Sequence, residues 1–276
     1  HEVIKNASKA TTLNRLKLGI LDEDNARHNS ILDDFIASGE KTWKLIERID
    51  EKYNINSIIT TGSPYIPRRV VIEYANRQNI PVLASTDPNY GHDSDRIIFG
   101  KMDGPLATYI PDSTWRAWKK NGITLEQQEE LHRYMRSRFS DDIHEYTKYA
   151  DQDSQIEDSN KTIFSAFTHL PWDAAVSSVG RCYSDQYEWA IDIMNNVKNI
   201  EDSLLYLKTH PAEHIRGTNQ GFLDIIDELQ YEIPDSTIVL EPKSDISTYD
   251  LLDITDVSLV YTSTVGMESA YKNIPV

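Results

Sequence analysis

Between Thr162 and Val276 short apolar runs alternate with helical patterns, and few folds accept that order. Thr162 to Thr168, Ser203 to Lys208, Thr237 to Leu240 and Val257 to Tyr261 read as strands, with a final strand expected from Ile274 onward. Between them lie a helix over Tyr187 to Val197 and a second in which Phe222, Ile225, Ile226 and Leu229 fall at i, i+3, i+4 and i+7. A short helical turn over Tyr249 to Leu252 and a helix over Met267 to Tyr271 complete the series. Leu204 to Leu207 is apolar without interruption, as a strand covered on both faces must be. Strand, helix and strand in repetition predict a parallel sheet with right-handed crossovers, a doubly wound α/β domain.

The first half carries a thinner version of the same pattern. Leu16 to Leu21 is a short apolar run, followed by a polar turn at Asp22 to Asn25 and by helical spacing at Ile31, Phe35, Trp43, Leu45, Ile46 and Ile49. Ser57 to Thr61 reads as a strand closed by Gly62-Ser63-Pro64, Pro67 opens a helix through Val70, Val71, Tyr74 and Ala75, and Ile80 to Ala84 reads as the next strand. These make a first Rossmann-like unit. From about Asp112 the chain turns charged and helical, with Thr124 and Gln127 spaced as a capping box. Asp151 to Asn160 is nearly all polar or acidic and reads as a linker. The expected organisation is a Rossmann-like domain over 1–111, a charged helical segment and linker over 112–160, and a second Rossmann-like domain over 161–276. The second is expected to be cut short, because Ile274-Pro275-Val276 looks like the start of another strand.

Composition removes several functions. The chain has 276 residues, 39% of them hydrophobic, enough for two domains with real cores. A net charge of −16 argues against general affinity for nucleic acid or for an anionic membrane surface. The single cysteine, Cys182, excludes an internal disulfide framework and cannot alone build a zinc site, which fits a reducing cytoplasmic setting. No run approaches the roughly 18 apolar residues of a spanning helix, and the first residues lack the order of a signal peptide.

Ligands of open parallel sheets bind outside the carboxyl ends of the strands. The residues there are His169-Leu-Pro-Trp-Asp173, His210-Pro211-Ala-Glu213, Glu241-Pro-Lys243 and Thr262-Ser263-Thr264. Ser263 and Thr264 stand where a strand passes into a helix, a junction whose N–H groups and hydroxyls suit a phosphate, or where one hydroxyl serves only as an N-cap. Glu268, one turn on, is either a ribose acceptor or a solvated glutamate. A strand-end imidazole at His210 can donate to a phosphate oxygen with Lys208 adding charge; the plainer alternative is a structural His-Pro turn. His210 to His214 also matches H-x-x-E-H, which as a zinc site would need both histidines on one helical face. Asp22-Glu-Asp24 and Asp151-Gln-Asp153 fit the D-x-D of metal-dependent sugar transferases, a triplet that an acidic chain also produces by chance. No G-x-G-x-x-G follows the first strand, and no P-loop or G-x-S-x-G is present. Trp115 and Trp118 read as packing or an interdomain contact rather than a base-stacking platform.

Taken in order, Thr162 to Asp173, Glu188-Trp189, Lys208-Thr-His-Pro-Ala-Glu213, Ser247 to Leu252 and Asp256 to Glu268 resemble the capsular polysaccharide biosynthesis family. These are GT-B glycosyltransferases related to capsule Kdo transferases, and the His-Pro and Ser-Thr pairs are also similar to the nucleotide-binding motifs of bacterial sialyltransferases. The resemblance covers Thr162 to Val276. It implies two Rossmann-like domains facing a cleft and a metal-independent, inverting transfer from a nucleotide sugar, CMP-activated in some relatives, to a glycan or lipid-linked acceptor. Lys208, His210, Pro211, Glu213, Ser263 and Thr264 would hold the donor phosphate, with Glu268 near its ribose. No cofactor beyond the nucleotide-sugar co-substrate is implied. The expected location is the cytoplasm, with peripheral contact to membrane assembly machinery. Lys208-Thr209 stands where many relatives carry Arg-x before His-Pro, so the positive charge is kept and the donor stays open. Candidates for the base that deprotonates the acceptor are Asp87, His92, Asp93 and Asp173, and the first domain's loops Gly62 to Pro67 and Thr86 to Asp95 would meet the acceptor. Two other readings remain: a nucleotide-sugar epimerase on the same scaffold, which would turn over donor without acceptor, and a non-catalytic polysaccharide-binding or assembly subunit, whose glycan binding would ignore nucleotide.

Overall fold

The computed structural model describes residues 2–86, 98–101, 112–139, 160–173 and 182–276. The chain divides into two compact units, His1–Arg15 with Leu21–Ser137, and Leu16–Ile20 with Arg138–Val276.

The first unit contains α1 (Glu2–Leu16), α2 (Ala26–Tyr53), β1 (Ile58–Thr61), α3 (Arg68–Arg77), β2 (Val82–Thr86), β3 (Ile98–Lys101), α4 (Asp112–Asn121) and α5 (Leu125–Phe139), except that Leu16 at the end of α1 and Arg138 and Phe139 at the end of α5 belong to the second unit. Asn25 starts α2 by accepting from the N–H groups of Arg27 and His28, and Asn54 ends it at φ 53°, the left-handed conformation that asparagine tolerates. Thr124 and Gln127 satisfy each other's backbone N–H at the head of α5, as their spacing predicts. β1 and β2 are parallel, and β3 adds to β2 antiparallel. The sheet is therefore mixed, and its core joins Ile72, Tyr74 and Ala75 of α3 to Val82 and Ala84 of β2.

Two features depart from the sequence pattern. α1 buries Ile4, Ala7, Ala10 and Leu13 with Ser8 and Thr12, a face made largely of small side chains. The apolar run Leu16–Leu21 forms no strand. Its residues 16–20 lie instead on the second unit: Asn219 donates its N–H to the Lys17 carbonyl at 2.9 Å, and Gly19 and Ile20 donate theirs to Gln220 Oε1 at 3.1 and 3.0 Å.

The second unit carries a four-stranded parallel sheet of order β6-β5-β4-β7, made from β4 (Thr162–Phe167), β5 (Ser203–Lys208), β6 (Thr237–Leu240) and β7 (Val257–Val260). Its helices are α6 (Gln186–Val197), α7 (Ala212–Ile215), α8 (Phe222–Glu228), α9 (Thr248–Asp253) and α10 (Val265–Tyr271). Side chains alternate between the two faces of the sheet. Ala166, Leu205 and Leu207 meet Trp189 and Met194 of α6 and Phe222, Ile225 and Ile226 of α8. Ile163, Phe167 and Tyr206 meet Leu251 and Leu252 of α9, with Val265 of α10 beside them. Helices thus cover both faces, which is why the strands have no polar side to show in the sequence. Ile274 to Val276, expected as a strand, form none; Ser258 donates one N–H bond to the Pro275 carbonyl at 2.8 Å. Among the described residues no helix is long and apolar enough to cross a membrane.

Candidate functional site

From β4 the chain adds β5 and then β6 outward on one side, and β7 returns to the other side of β4. The strand order therefore reverses beside β4, where a parallel sheet opens a crevice at its carboxyl edge. A cavity of about 150 Å³ lies there, lined by Phe167 and Thr168 at the end of β4, Lys208, Thr209, His210 and Pro211 at the end of β5, and Ser263, Thr264 and Val265 after β7. Pro242 and Ser244 beyond β6, the head of α9, Glu268 of α10 and Arg138 of α5 complete it.

Lys208 is the last residue of a buried strand, and only 6% of it is exposed. Its ammonium donates to the Ile246 carbonyl at 2.6 Å. Burial lowers its pKa to about 8, with Asp250 opposing weakly. His210 follows two residues on. Its Nδ1 accepts from the Ala212 N–H at 3.1 Å, and burial first, then the neighbouring His169, Arg216 and Lys208, lowers its pKa to about 3. The imidazole is neutral in ordinary buffer, with its proton on Nε2, and Nε2–H is a hydrogen-bond donor. Pro211, with φ −59°, opens the turn of α7.

Glu213 takes a different direction. It is not among the lining residues; its Oε2 accepts from the Phe222 N–H at 3.0 Å and so caps α8. Oε1 is buried without a hydrogen-bond partner among the described residues, and burial raises the carboxyl to a pKa of about 7. His214 is exposed, and His210 stands ahead of the short α7. The H-x-x-E-H spacing therefore does not put two imidazoles and a free carboxylate on one helical face.

Ser263 Oγ accepts from the Val265 N–H at 3.3 Å, the capping role, while lining the cavity; Thr264 is exposed and makes no side-chain cap. Glu268 is 2% exposed, and its carboxylate is ion-paired with the Arg138 guanidinium. It is therefore no solvated helix glutamate. Arg138 and Thr168 had no signal in the sequence. Thr168 is 3% exposed, and its hydroxyl has no partner among the described residues.

Asp173 does not line the cavity. It lies close enough to Lys17 to raise that group's pKa against the larger lowering by burial and Arg216, and the Lys17 ammonium sits 3.3 Å over the Trp172 ring. Asp93, with Asp87 and His92, lies outside the described residues, as does Asp151-Gln-Asp153. Asp22 Oδ1 accepts from the Asp24 N–H at 2.9 Å, an ordinary Asx turn. Trp115 and Trp118 are exposed. The His169 ring lies obliquely 5.9 Å from that of His210, and the His169 backbone N–H donates to Gln186 Oε1 at 3.0 Å. Among the described residues no group of three or more His, Cys, Asp and Glu side chains could hold a metal ion. A larger cavity of about 490 Å³ in the first unit is lined by Trp43, Glu73 and Arg77 among others, with Glu73 salt-bridged to both Arg69 and Arg77.

The arrangement around His210 suits an anion with several oxygens: two cationic side chains, a neutral imidazole donor and hydroxyls from three strand ends. Compared with known proteins, the sequence matches no family model and no curated protein.

Proposed function

We propose that the chain is a glycosyltransferase of the GT-B type acting in surface polysaccharide biosynthesis, with the cavity at His210 holding the phosphate of a nucleotide-sugar donor. One observation carries this reading: residues from β4, β5 and β7 meet in a single cavity where the strand order reverses, and Thr168, Lys208, His210, Ser263 and Thr264 among them can donate to an anion. Lys208 and His210 come from the end of β5 and Ser263 and Thr264 from the turn after β7, and all four line the same space.

The chemistry required is modest. The bond between the sugar's anomeric carbon and the nucleotide phosphate oxygen breaks, and the electron pair leaves with the phosphate. The acceptor hydroxyl bonds to the anomeric carbon from the opposite face, and its proton passes to a base among Asp87, His92, Asp93 and Asp173. Charge grows on the departing phosphate, and preorganised donors there lower the barrier. A histidine with a pKa of about 3 donates a hydrogen bond from Nε2 without carrying charge. Lys208 supplies the charge. His210 thus serves the leaving group rather than the acceptor.

A thermal-shift panel of CMP, CDP, UDP, GDP and ADP tests the reading, since a ligand of the native state raises the midpoint. One nucleotide is expected to raise it, and His210→Ala and Ser263→Ala are each expected to remove the response. A folded protein that responds to none of the five would overturn the proposal. Turnover of the matching nucleotide sugar without acceptor, giving an epimerised donor, would move the reaction to a different class.

A further inference from the structure

We propose that Arg138 is a binding residue of the His210 cavity, its guanidinium held in place by the buried carboxylate of Glu268 so that it meets the phosphoryl oxygens of the ligand. The inference rests on the reading of that cavity as a phosphate site.

Arg138 and Glu268 both line the cavity, although 130 positions separate them. Their side chains are 19% and 3% exposed. Removing both charges from water costs about as much as their attraction returns, so a buried pair is a poor device for stability alone. A pair beside a ligand cavity has another use. A guanidinium is a flat fork with donors along more than one edge, and it can meet a carboxylate on one side and phosphate oxygens on another.

The charge balance of the cavity points the same way. Glu268 puts a carboxylate into the wall of a site proposed to take an anion. The His210 imidazole is neutral, and the Lys208 ammonium is partly discharged near pH 8 and tied to the Ile246 carbonyl. Arg138, which keeps its proton at any working pH, offsets the Glu268 carboxylate and is the cationic donor left at the cavity once Lys208 loses its proton. Thr168 adds an independent sign that a polar ligand belongs there. Its hydroxyl is buried in the same wall with no partner among the described residues, a state that is costly unless a ligand or water completes it.

The position of Arg138 is secured from outside the cavity. Phe139, the next residue, packs edge-on against Tyr249 of α9 at 5.1 Å and lies 6.0 Å from Tyr271 of α10. Within the second unit, Arg138 and Phe139 are thereby held against the two helices that carry the far wall.

The test uses calorimetry with inorganic pyrophosphate, CMP and UDP at pH 7 and pH 9.5, on the wild type, R138K, H210A and the double variant R138Q/E268Q. The double variant replaces the ion pair by two amides, so that no buried carboxylate is stranded. It is expected to bind the best probe about tenfold more weakly at pH 7, and R138K to fall between, because the charge remains and the fork does not. At pH 9.5, where Lys208 has lost its proton, the wild type should keep measurable binding and the double variant none. A purely structural role would leave that pH dependence unchanged. A folded double variant within about twofold of the wild type overturns the inference, and if it does not fold, R138K within that limit does so. Binding lost in H210A but kept in the Arg138 variants would remove the role of Arg138 and leave the phosphate site standing. No binding by the wild type would remove both.

Discussion

The Nδ1 atom of His210 accepts a hydrogen bond from the backbone N–H of Ala212 at 3.1 Å, across the turn made by Pro211. That bond needs an unprotonated Nδ1. Burial opposes the charged form as well, and together with nearby positive groups it lowers the pKa to about 3 against 6.5 for a free imidazole. Between those two values the unfolded chain binds a proton at this position and the folded chain does not, so folding is favoured more as pH rises. The contribution is complete above about pH 6.5 and is lost as pH falls towards 3. His210→Asn should therefore flatten the fall in melting temperature between pH 7 and pH 4 relative to the wild type. Parallel melting curves at both pH values would contradict the assignment.

Lys208 predicts a conflict between stability and binding. Its ammonium is buried, and its pKa is lowered to about 8 from 10.5. The folded chain sheds this proton first, so wild-type stability rises as pH climbs from 8 to 10.5. Lys208→Met removes a buried charge but leaves the Ile246 carbonyl without its 2.6 Å donor. The two effects are about 3 and about 1–2 kcal/mol and opposite in sign, which predicts a variant about 1–2 kcal/mol more stable at pH 7. That advantage should vanish by pH 10. Nucleotide response should be weaker at the same time. Chemical denaturation at pH 7 and 10 reads the first effect and thermal shift the second.

The parts of the fold that were readable share one property. Ser203–Lys208 and Thr237–Leu240 occupy the bounds their apolar runs predict, because those strands are hydrogen-bonded on parallel neighbours and start and stop at polar turns. α1 was not readable, since its buried face is largely Ala, Ser and Thr, residues with little hydrophobic contrast. β3 has four residues including Gly100 and gains its identity only by pairing antiparallel with β2. Leu16–Ile20 is placed by contacts no local pattern records: its backbone is hydrogen-bonded to Asn219 and Gln220, about two hundred positions away.

The same division holds for the site. His210, Lys208, Ser263 and Thr264 could be collected because a parallel sheet sends every strand end to one edge. Which way each side chain turns depends on its neighbours. Glu213, three residues from His210, points to the Phe222 N–H, and Glu268 points to Arg138. Arg138 lies in a helix full of charged residues, where nothing local separates the one that reaches a cavity from the others.

Glu213 gives a third pH signature, of opposite sign to the histidine. Burial raises its carboxyl pKa to about 7 from 4.5, with the Phe222 N–H working in the other direction. Between those values the folded state holds a proton that the unfolded state has lost, so stability falls as pH rises through the window. Glu213→Gln keeps an oxygen for the Phe222 N–H and removes the ionisation. At pH 8 it should be more stable than the wild type by up to about 3 kcal/mol, and at pH 4 the two should match. Urea midpoints at both pH values check the sign. An E213Q chain less stable at pH 8 would show that the ionised carboxylate, as a helix cap, outweighs its burial.

Gly19 yields the most local test. An added Cβ would stand 2.2 Å from Ile225 Cδ1, 2.2 Å from the Tyr187 hydroxyl and 2.9 Å from Pro171 Cβ. Ile225 and Tyr187 are both buried in the main core of the second unit, so neither can turn outward to make room. The chain around Gly19 must give way instead. That displacement pulls on the bonds from Gly19 and Ile20 to Gln220 Oε1 and on the two that Asn219 and Gln220 donate to the Lys17 carbonyl. Overpacking of this kind costs about 1–3 kcal/mol, and part of the hydrogen bonding is lost with it. Gly19→Ala should lower the urea midpoint accordingly, whereas Gly217→Ala, at φ 65° with nothing within 4 Å of its Cβ, should cost only the backbone strain of about 1 kcal/mol. If the two alanine variants are equally destabilised, the close packing of residues 16–20 against α6 and α8 is not what holds that segment in place.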